Sequence, residues 1–269
     1  MVAKMGKRVY ISVDIEGITG VTDWSETFLN SPDHERAVKQ MNAEAAAACR
    51  GALAAGAEKV WVRDAHDSAR NIDPALLPEG VRLIRGWGCT PDSMMEEVDQ
   101  GFDCAVCIGY HSEAGTDANP LAHTINKDRI VEVRLNGEVC SELELNSLIC
   151  TRYGVPIVFV SGDEAICRKA EALYGIKTAG VKRGSGEATV NLHPAEAVRL
   201  IENGVREAVE KGAACPKLPE EFDLTVRYKN HAEARKASQF PGARAVDACT
   251  AGYRTADLKA LLVARMFLI

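Results

Sequence analysis

Short runs rich in valine and isoleucine alternate with longer helical patterns from residue 8 onward, and a chain with that alternation has few ways to bury both kinds of face. RVYISVD (8–14) reads as a strand, the alanine-rich pattern over 33–55 as a helix stopped by Gly56, and EKVWVRD (58–64) as a second strand. VRLIRG (81–86), a short helix over 91–99 and a strand over 103–110 extend the series. Strand, crossover and strand in this order predict a three-layer α/β fold, a mainly parallel sheet with helices on both faces. RIVEVRL and EVC then flank Asn136-Gly137, a dipeptide suited to a two-residue hairpin turn, so a β-hairpin flap is expected to interrupt the parallel sheet. Ser141, with Glu144 three residues later, matches a capping box at the start of a helix running to Tyr153. PIVFVSG (156–162) and IKTAGV (176–181) read as strands around a helix, and 194–211 as another helix with Pro194 in its first turn. Pro216 and Pro219 mark a linker. The expected division is an α/β core over 1–215 and a small C-terminal βαβα lobe over 216–269, built from FDLTVRY, a short helix, ARAVDA and a closing helix, the alternative being one continuous domain.

With 46% hydrophobic and 26% charged residues in 269, the chain has enough apolar surface for one large core without covalent staples. Thirty-eight acids against 32 bases give a net charge of −6, and no basic run concentrates positive charge, which argues against a nucleic-acid partner. No stretch approaches the roughly 18 apolar residues of a membrane span, so no membrane partner is expected. Asp14 interrupts the first apolar stretch too early for a signal peptide, and a cytoplasmic location is the expectation. Nine cysteines, an odd number without repeated spacing, read as reduced thiols in such a compartment. Cys104-x-x-Cys107 is the one spacing that suggests metal or redox chemistry. On a strand, however, residues three apart face opposite sides and cannot share a metal, so packing is expected there.

Asp14-Ile15-Glu16-Gly17 closes the first strand, and the two-residue period sends both carboxylates to one side. Such a pair suits a hard cation, although D-x-E also occurs at solvated strand ends. His66 follows the second strand, His111 the strand over 103–110, and His123 lies in the loop beyond. Singly, each reads as a packed or solvated histidine. Jointly with Asp14 and Glu16 they fall where parallel strands deliver side chains to a shared crevice. Glu142 adds a carboxylate in the first turn of the capped helix, a place where a negative charge also favours the helix dipole.

Taken in order, these stretches resemble the zinc-dependent D-aminopeptidase family of the DppA type. The S-x-D-x-E-G signature matches Ser12 to Gly17, D-x-H matches Asp64 to His66, and G-Y-H matches Gly109 to His111. His123 before threonine, Glu142 and Asn146 in SELELN, SGD at Ser161 to Asp163, Val181-Lys182 and Pro194 complete the set. The resemblance implies two zinc ions (Zn2+) per chain, held by Asp14, Glu16, His66, His111 and Glu142, with His123 in the catalytic position. It further implies an aminopeptidase acting on short peptides, D-amino acid peptides above all, and a homo-oligomer, a decamer of stacked rings. Mixed imidazole and carboxylate donors suit zinc, and five side chains are too few to close two tetrahedral sites, so open positions imply water and catalysis. Asp14, with two oxygens, is the natural bridge between two metals. Glu144 stands where the family often has glycine. It lies roughly 200° around the helix from Glu142 and is expected to alter the pocket rim. Two other readings share the same residues: a two-metal amidase acting on aminoacyl amides or cell-wall peptides, and a non-catalytic, metal-stabilised oligomeric scaffold. His123, an imidazole beyond the five ligands, argues against the scaffold.

Overall fold

The structure is a computed structural model and describes residues 6–269. The chain begins β1 (Lys7–Val13), α1 (His34–Ala54), β2 (Ala57–Asp64), β3 (Arg82–Ile84) and β4 (Cys104–Tyr110), in the expected order. The helix expected over 91–99 is instead two 3₁₀ turns, Ser93–Met95 and Val98–Gln100. Ser93 and Glu97 take positive φ values of 48° and 67°, which stop α-helical propagation at each turn. There follow β5 (Ile130–Leu135), β6 (Glu138–Val139), α2 (Glu142–Arg152), β7 (Ile157–Asp163), α3 (Glu164–Tyr174), β8 (Lys177–Ser185), β9 (Ala188–Asn191) and α4 (Pro194–Lys211). The C-terminal segment supplies β10 (Phe222–Tyr228), α5 (His231–Ala237), β11 (Ala243–Ala245), β12 (Thr250–Thr255) and α6 (Leu258–Leu268).

Seven strands form one sheet in the order β3-β2-β1-β4-β7-β8-β9, parallel throughout except for β9 against β8. The period-two pattern of β1 divides its side chains between two cores: Val9, Ile11 and Val13 pack under α1 and α4, while Tyr10 packs on the opposite side with α2, α3 and α6. The hairpin does form at Asn136-Gly137, with φ values of 53° and 88°. It does not interrupt the parallel sheet. β5 pairs with β10 instead, in a second, antiparallel sheet of order β11-β12-β10-β5-β6, which lies on the α2, α3 and α6 side and is shared by residues 130–139 and 222–255. The C-terminal β, α, β and α elements form in the expected order as β10, α5, β11 and α6, and β12, unmarked in the sequence, is added between β10 and β11 within this sheet.

Cys104 belongs to the core under α1 and Cys107 to the opposite one, as the strand period requires. Burial pushes both thiols up to about 12, far from a reactive thiolate. Replacing both by alanine is therefore expected to cost about 1 kcal/mol or more per site in urea unfolding while leaving turnover per folded molecule unchanged. Loss of bound metal from a folded double variant would contradict this assignment.

β1 is the point from which the strand order runs both ways, β2 and β3 to one side, β4, β7 and β8 to the other. Open α/β sheets bind ligands at such a switch, beyond the carboxyl ends of the strands. Val13 is in register with Asp64 on β2 and with Ile108 on β4, so β1 and β2 end level and β4 runs two residues further. The turns beyond them interlock. A Cβ on Gly17 would fall 1.9 Å from the Tyr110 carbonyl oxygen, and one on Gly109 would fall 2.2 Å from that of Asp14.

Candidate metal centre

Three strand ends and one helix start deliver the site. Asp14 and Glu16 follow β1, His66 follows β2, His111 follows β4, His123 sits in the loop to β5, and Glu142 opens α2. The α2 capping box is formed: the Ser141 N–H donates to Glu144 Oε2 at 2.8 Å and the Glu144 N–H to Ser141 Oγ at 3.4 Å, which fixes the turn carrying Glu142. Asp14, Glu16 and Glu142 are 2%, 1% and 5% exposed. Three buried carboxylates this close together require compensating positive charge.

The histidines are oriented by one rule. Each has one ring nitrogen against a main-chain carbonyl: His66 Nε2 on Thr27 at 2.9 Å, His111 Nδ1 on Ser112 at 2.9 Å, and His123 Nδ1 on Leu121 at 3.0 Å. A carbonyl only accepts, so that nitrogen carries the hydrogen and the other presents its lone pair when the ring is neutral. The other nitrogens all face carboxylates. His66 Nδ1 is 3.1 Å from both Asp14 Oδ1 and Glu16 Oε2, His111 Nε2 is 3.5 Å from Asp14 Oδ2 and 3.6 Å from Glu142 Oε1, and His123 Nε2 is 3.6 Å from Glu142 Oε1. Lone pairs opposing anionic oxygens repel unless a proton or metal ion lies between them. Glu16 Oε2 and His111 Nε2 are buried and make no aligned hydrogen bond. Burial alone would strip the proton from His66 and His111, but the charges of Glu16 and Glu142 outweigh it and raise both rings well above the usual histidine range. Burial conversely favours the neutral acid at Asp14, yet the facing His111 and His66 rings prevail and hold it below the usual carboxylate range. Glu142 is lowered in the same way, chiefly by the charge of His111.

Two donor groups lie within 4.8 Å of one another among the described residues: Asp14, Glu16 and His111, and His111, His123 and Glu142. All six residues singled out in the sequence therefore meet in one place. His123, separated there from the ligands, stands in ligand-like geometry, its ring stacked on His111 with centroids 4.3 Å apart. Ile125 takes φ +63°, a conformation that β-branched residues avoid, and its N–H reaches Glu142 Oε1 at 2.6 Å.

The remaining motif residues support this centre from behind. Ser12 Oγ and Asn146 Nδ2 meet the Tyr110 hydroxyl at 2.8 and 2.9 Å, joining β1, β4 and α2 below the carboxylates. Lys182 and Asn119 donate to the Glu16 carbonyl, and Asp163 accepts from Ser112 and Asn119. Deeper still, burial pushes Glu44 up to about 7, with hydrogen bonds from Gln40 and Thr19 to one oxygen only. A folded-state value above the ordinary 4.5 means that the folded chain holds the proton more tightly. The associated stability is present below pH 4.5 and lost as pH rises through 7. Glu44→Gln is expected to remove that loss and raise stability at pH 8 by about 3 kcal/mol, with a much smaller gain at pH 5, in paired denaturation curves.

A pocket of about 330 Å3 opens over the carboxylates and His66, walled by Trp24, Phe28, Trp87 and Met94, with Asn126 and Lys127 at its polar side. Sequence reasoning missed these walls, since they come from loops and 3₁₀ turns without periodicity; three large aromatics in loops of a chain with only 6% aromatic residues were the available signal. Glu144 does not reach the rim. Its carboxylate is turned back by the capping box and pairs with Lys169 at 2.6 Å.

A family profile described as D-aminopeptidase, peptidase family M55, matches residues 7–267. The chain belongs to the D-aminopeptidase family. It is 32% identical over 244 residues to a D-aminopeptidase of Bacillus subtilis (strain 168), covering 87% of this chain and 86% of that one. It also superposes on the solved structure described as the Zn-dependent D-aminopeptidase DppA from Bacillus subtilis, a self-compartmentalizing protease. That match has a TM-score of 0.90 at 28% identity and covers 97% of this chain and 96% of the other. As a member of this family the chain is a peptidase, a hydrolase of peptide bonds.

Proposed function

We propose that this peptidase is a dinuclear zinc aminopeptidase that hydrolyses the N-terminal peptide or amide bond of short peptides, those of D-amino acids in preference. The observation that carries the reading is the orientation of the imidazoles, whose second ring nitrogens converge on buried carboxylates, where a metal ion can take the place of the proton. The donor set fits zinc: imidazole and carboxylate, no cysteine required, and too few side chains to close two tetrahedral shells. Asp14, Glu16, His66, His111 and Glu142 would hold the two ions, Asp14 offering one oxygen toward His66 and the other toward His111. When bound, such a pair polarises the scissile carbonyl and lowers the pKa of water.

The chain's own residues do the rest. Thr27, Ser112 and Leu121 fix the tautomers through their carbonyls, so the three ring nitrogens keep their aim without reorganisation. Trp24, Phe28 and Trp87 wall the pocket over the reacting atoms. His123, held edge-on by Trp24 at 5.2 Å, is placed to pass a proton to the leaving amine or to stabilise the tetrahedral oxyanion. The description of the Bacillus subtilis structure as self-compartmentalizing supports a closed homo-oligomer for this chain too, which light scattering would measure. The deciding experiment is amino-acid release from matched D- and L-aminoacyl amides and dipeptides, with metal content determined on the same preparation. We expect two zinc ions per chain and faster release from the D-series, both abolished by a strong chelator. Undiminished turnover by zinc-free protein, or release from none of the substrates, would overturn the reading.

A further inference from the structure

His123 sits in the loop between β4 and β5, and a single buried side chain ties its segment of that loop to the metal centre. Asn119 is 3% exposed. Its Nδ2 donates to the Glu16 carbonyl at 3.1 Å and to Asp163 Oδ2 at 3.2 Å, while its Oδ1 accepts from the Leu121 N–H at 3.0 Å. A carbonyl and a carboxylate only accept, so the amide stands this way round. The Leu121 carbonyl in turn accepts from His123 Nδ1 at 3.0 Å. One amide thus joins the turn that carries Glu16 to the residue whose main chain aims His123.

The anchors of this link are themselves fixed. Asp163 is fully buried, accepts from the Ser112 N–H at 2.7 Å and caps α3 through the Ala165 and Ile166 N–H groups. Lys182 donates to the same Glu16 carbonyl. The Ala118 carbonyl accepts from the Gly184 N–H at 2.7 Å, and a Cβ on Gly184 would fall 2.5 Å from that oxygen. These contacts place the start of the loop, whereas the Leu121 N–H is held by Asn119. A buried amide is costly unless its groups are paired, and here both donors and the acceptor are used. We propose that Asn119 is a positioning residue for the reaction, fixing the Leu121–His123 segment against the Glu16 turn so that the imidazole keeps its aim at the metal centre. The proposal rests on the reading of His123 as the group that moves a proton or stabilises the oxyanion, and adds the residue that aims it.

The test is a double-variant cycle on zinc-loaded protein that combines Asn119→Ala and Asn119→Ser with His123→Ala. Asn119→Ala should lower kcat about 10- to 100-fold, the usual worth of an outer partner in a metal site, with zinc content and KM nearly unchanged. Asn119→Ser should recover part of the loss, because a serine hydroxyl can accept from the N–H two residues on, more weakly than the amide. It also keeps the comparison if Asn119→Ala fails to fold. In the His123→Ala background either substitution should cost little more, since the residue it acts through is gone. Crystal structures of the zinc-free proteins give a readout independent of turnover: residues 120–123 should be displaced in the Asn119 variants while Asp14, Glu16 and His66 stay in place. An equal further loss in the His123→Ala background, zinc lost in step with activity, or an undisplaced loop would each overturn the proposal. A near-normal kcat in His123→Ala alone would instead overturn the reading of His123 on which the proposal rests, and that result needs no variant of Asn119.

Discussion

Asp14→Ala is expected to lose most or all of the bound zinc and to lower turnover by at least about 10²-fold, a loss that even the outer partners of metal ligands can produce. The expectation comes from position. Asp14 presents Oδ1 3.1 Å from His66 and Oδ2 3.5 Å from His111, so its two oxygens face the two imidazoles that stand on opposite sides of it. Glu16 comes within ion-pair distance of His66 alone, at 3.1 Å, although it also belongs to the donor group with Asp14 and His111. Removal of Asp14 should therefore disturb both ions, while Glu16→Ala should be milder in metal content because one ion keeps its other donors. Metal analysis of the two purified variants, beside wild type, is the measurement. Full stoichiometry and rate in Asp14→Ala would show that Asp14 does not bridge.

The parts of this centre that could be read in the sequence are those whose placement follows from strand period and strand end. Asp14 and Glu16 are legible as a pair at the end of β1, although both lie just past the strand and Glu16 is already in a turn, and His66 and His111 reach them because β2 and β4 run parallel and in register beside β1. The capping box likewise announced the turn that carries Glu142. What escaped depends on long-range pairing or on loop backbone. The hairpin could be read at Asn136-Gly137, but its partner β10 lies some 90 residues on and carries no mark of whom it pairs with. β12 reads TAGYRT, whose core-facing positions hold only Ala251 and Tyr253 while Gly252 and Arg254 lie on the other face, an alternation too short and weakly apolar to set it apart from a loop. The aromatic walls of the pocket and the positive-φ turn at Ile125 are set by tertiary contacts, and no local pattern foretells them.

His123→Ala separates chemistry from coordination. His123 lines the open pocket whereas His111, stacked behind it at 4.3 Å, does not, so a substrate carbonyl over the carboxylates meets His123 first. Its Nε2 stands 3.6 Å from Glu142 Oε1, close enough to share that carboxylate with a metal ion and too far for a direct hydrogen bond. Asp14, Glu16, His66, His111 and Glu142 already supply donors for two ions with open positions left over, whereas amide cleavage still needs a proton for the leaving amine. We therefore expect His123→Ala to keep both zinc ions and the fold while lowering kcat by roughly 10²- to 10⁴-fold, the usual worth of a positioned acid or base. Single-turnover kinetics place the loss in the chemical step if substrate binding is unchanged. Loss of one zinc ion in the variant would instead make His123 a ligand to the ion shared with His111 and Glu142, a near-normal kcat would make it a bystander, and a covalent adduct trapped on the wild-type imidazole would make it the nucleophile.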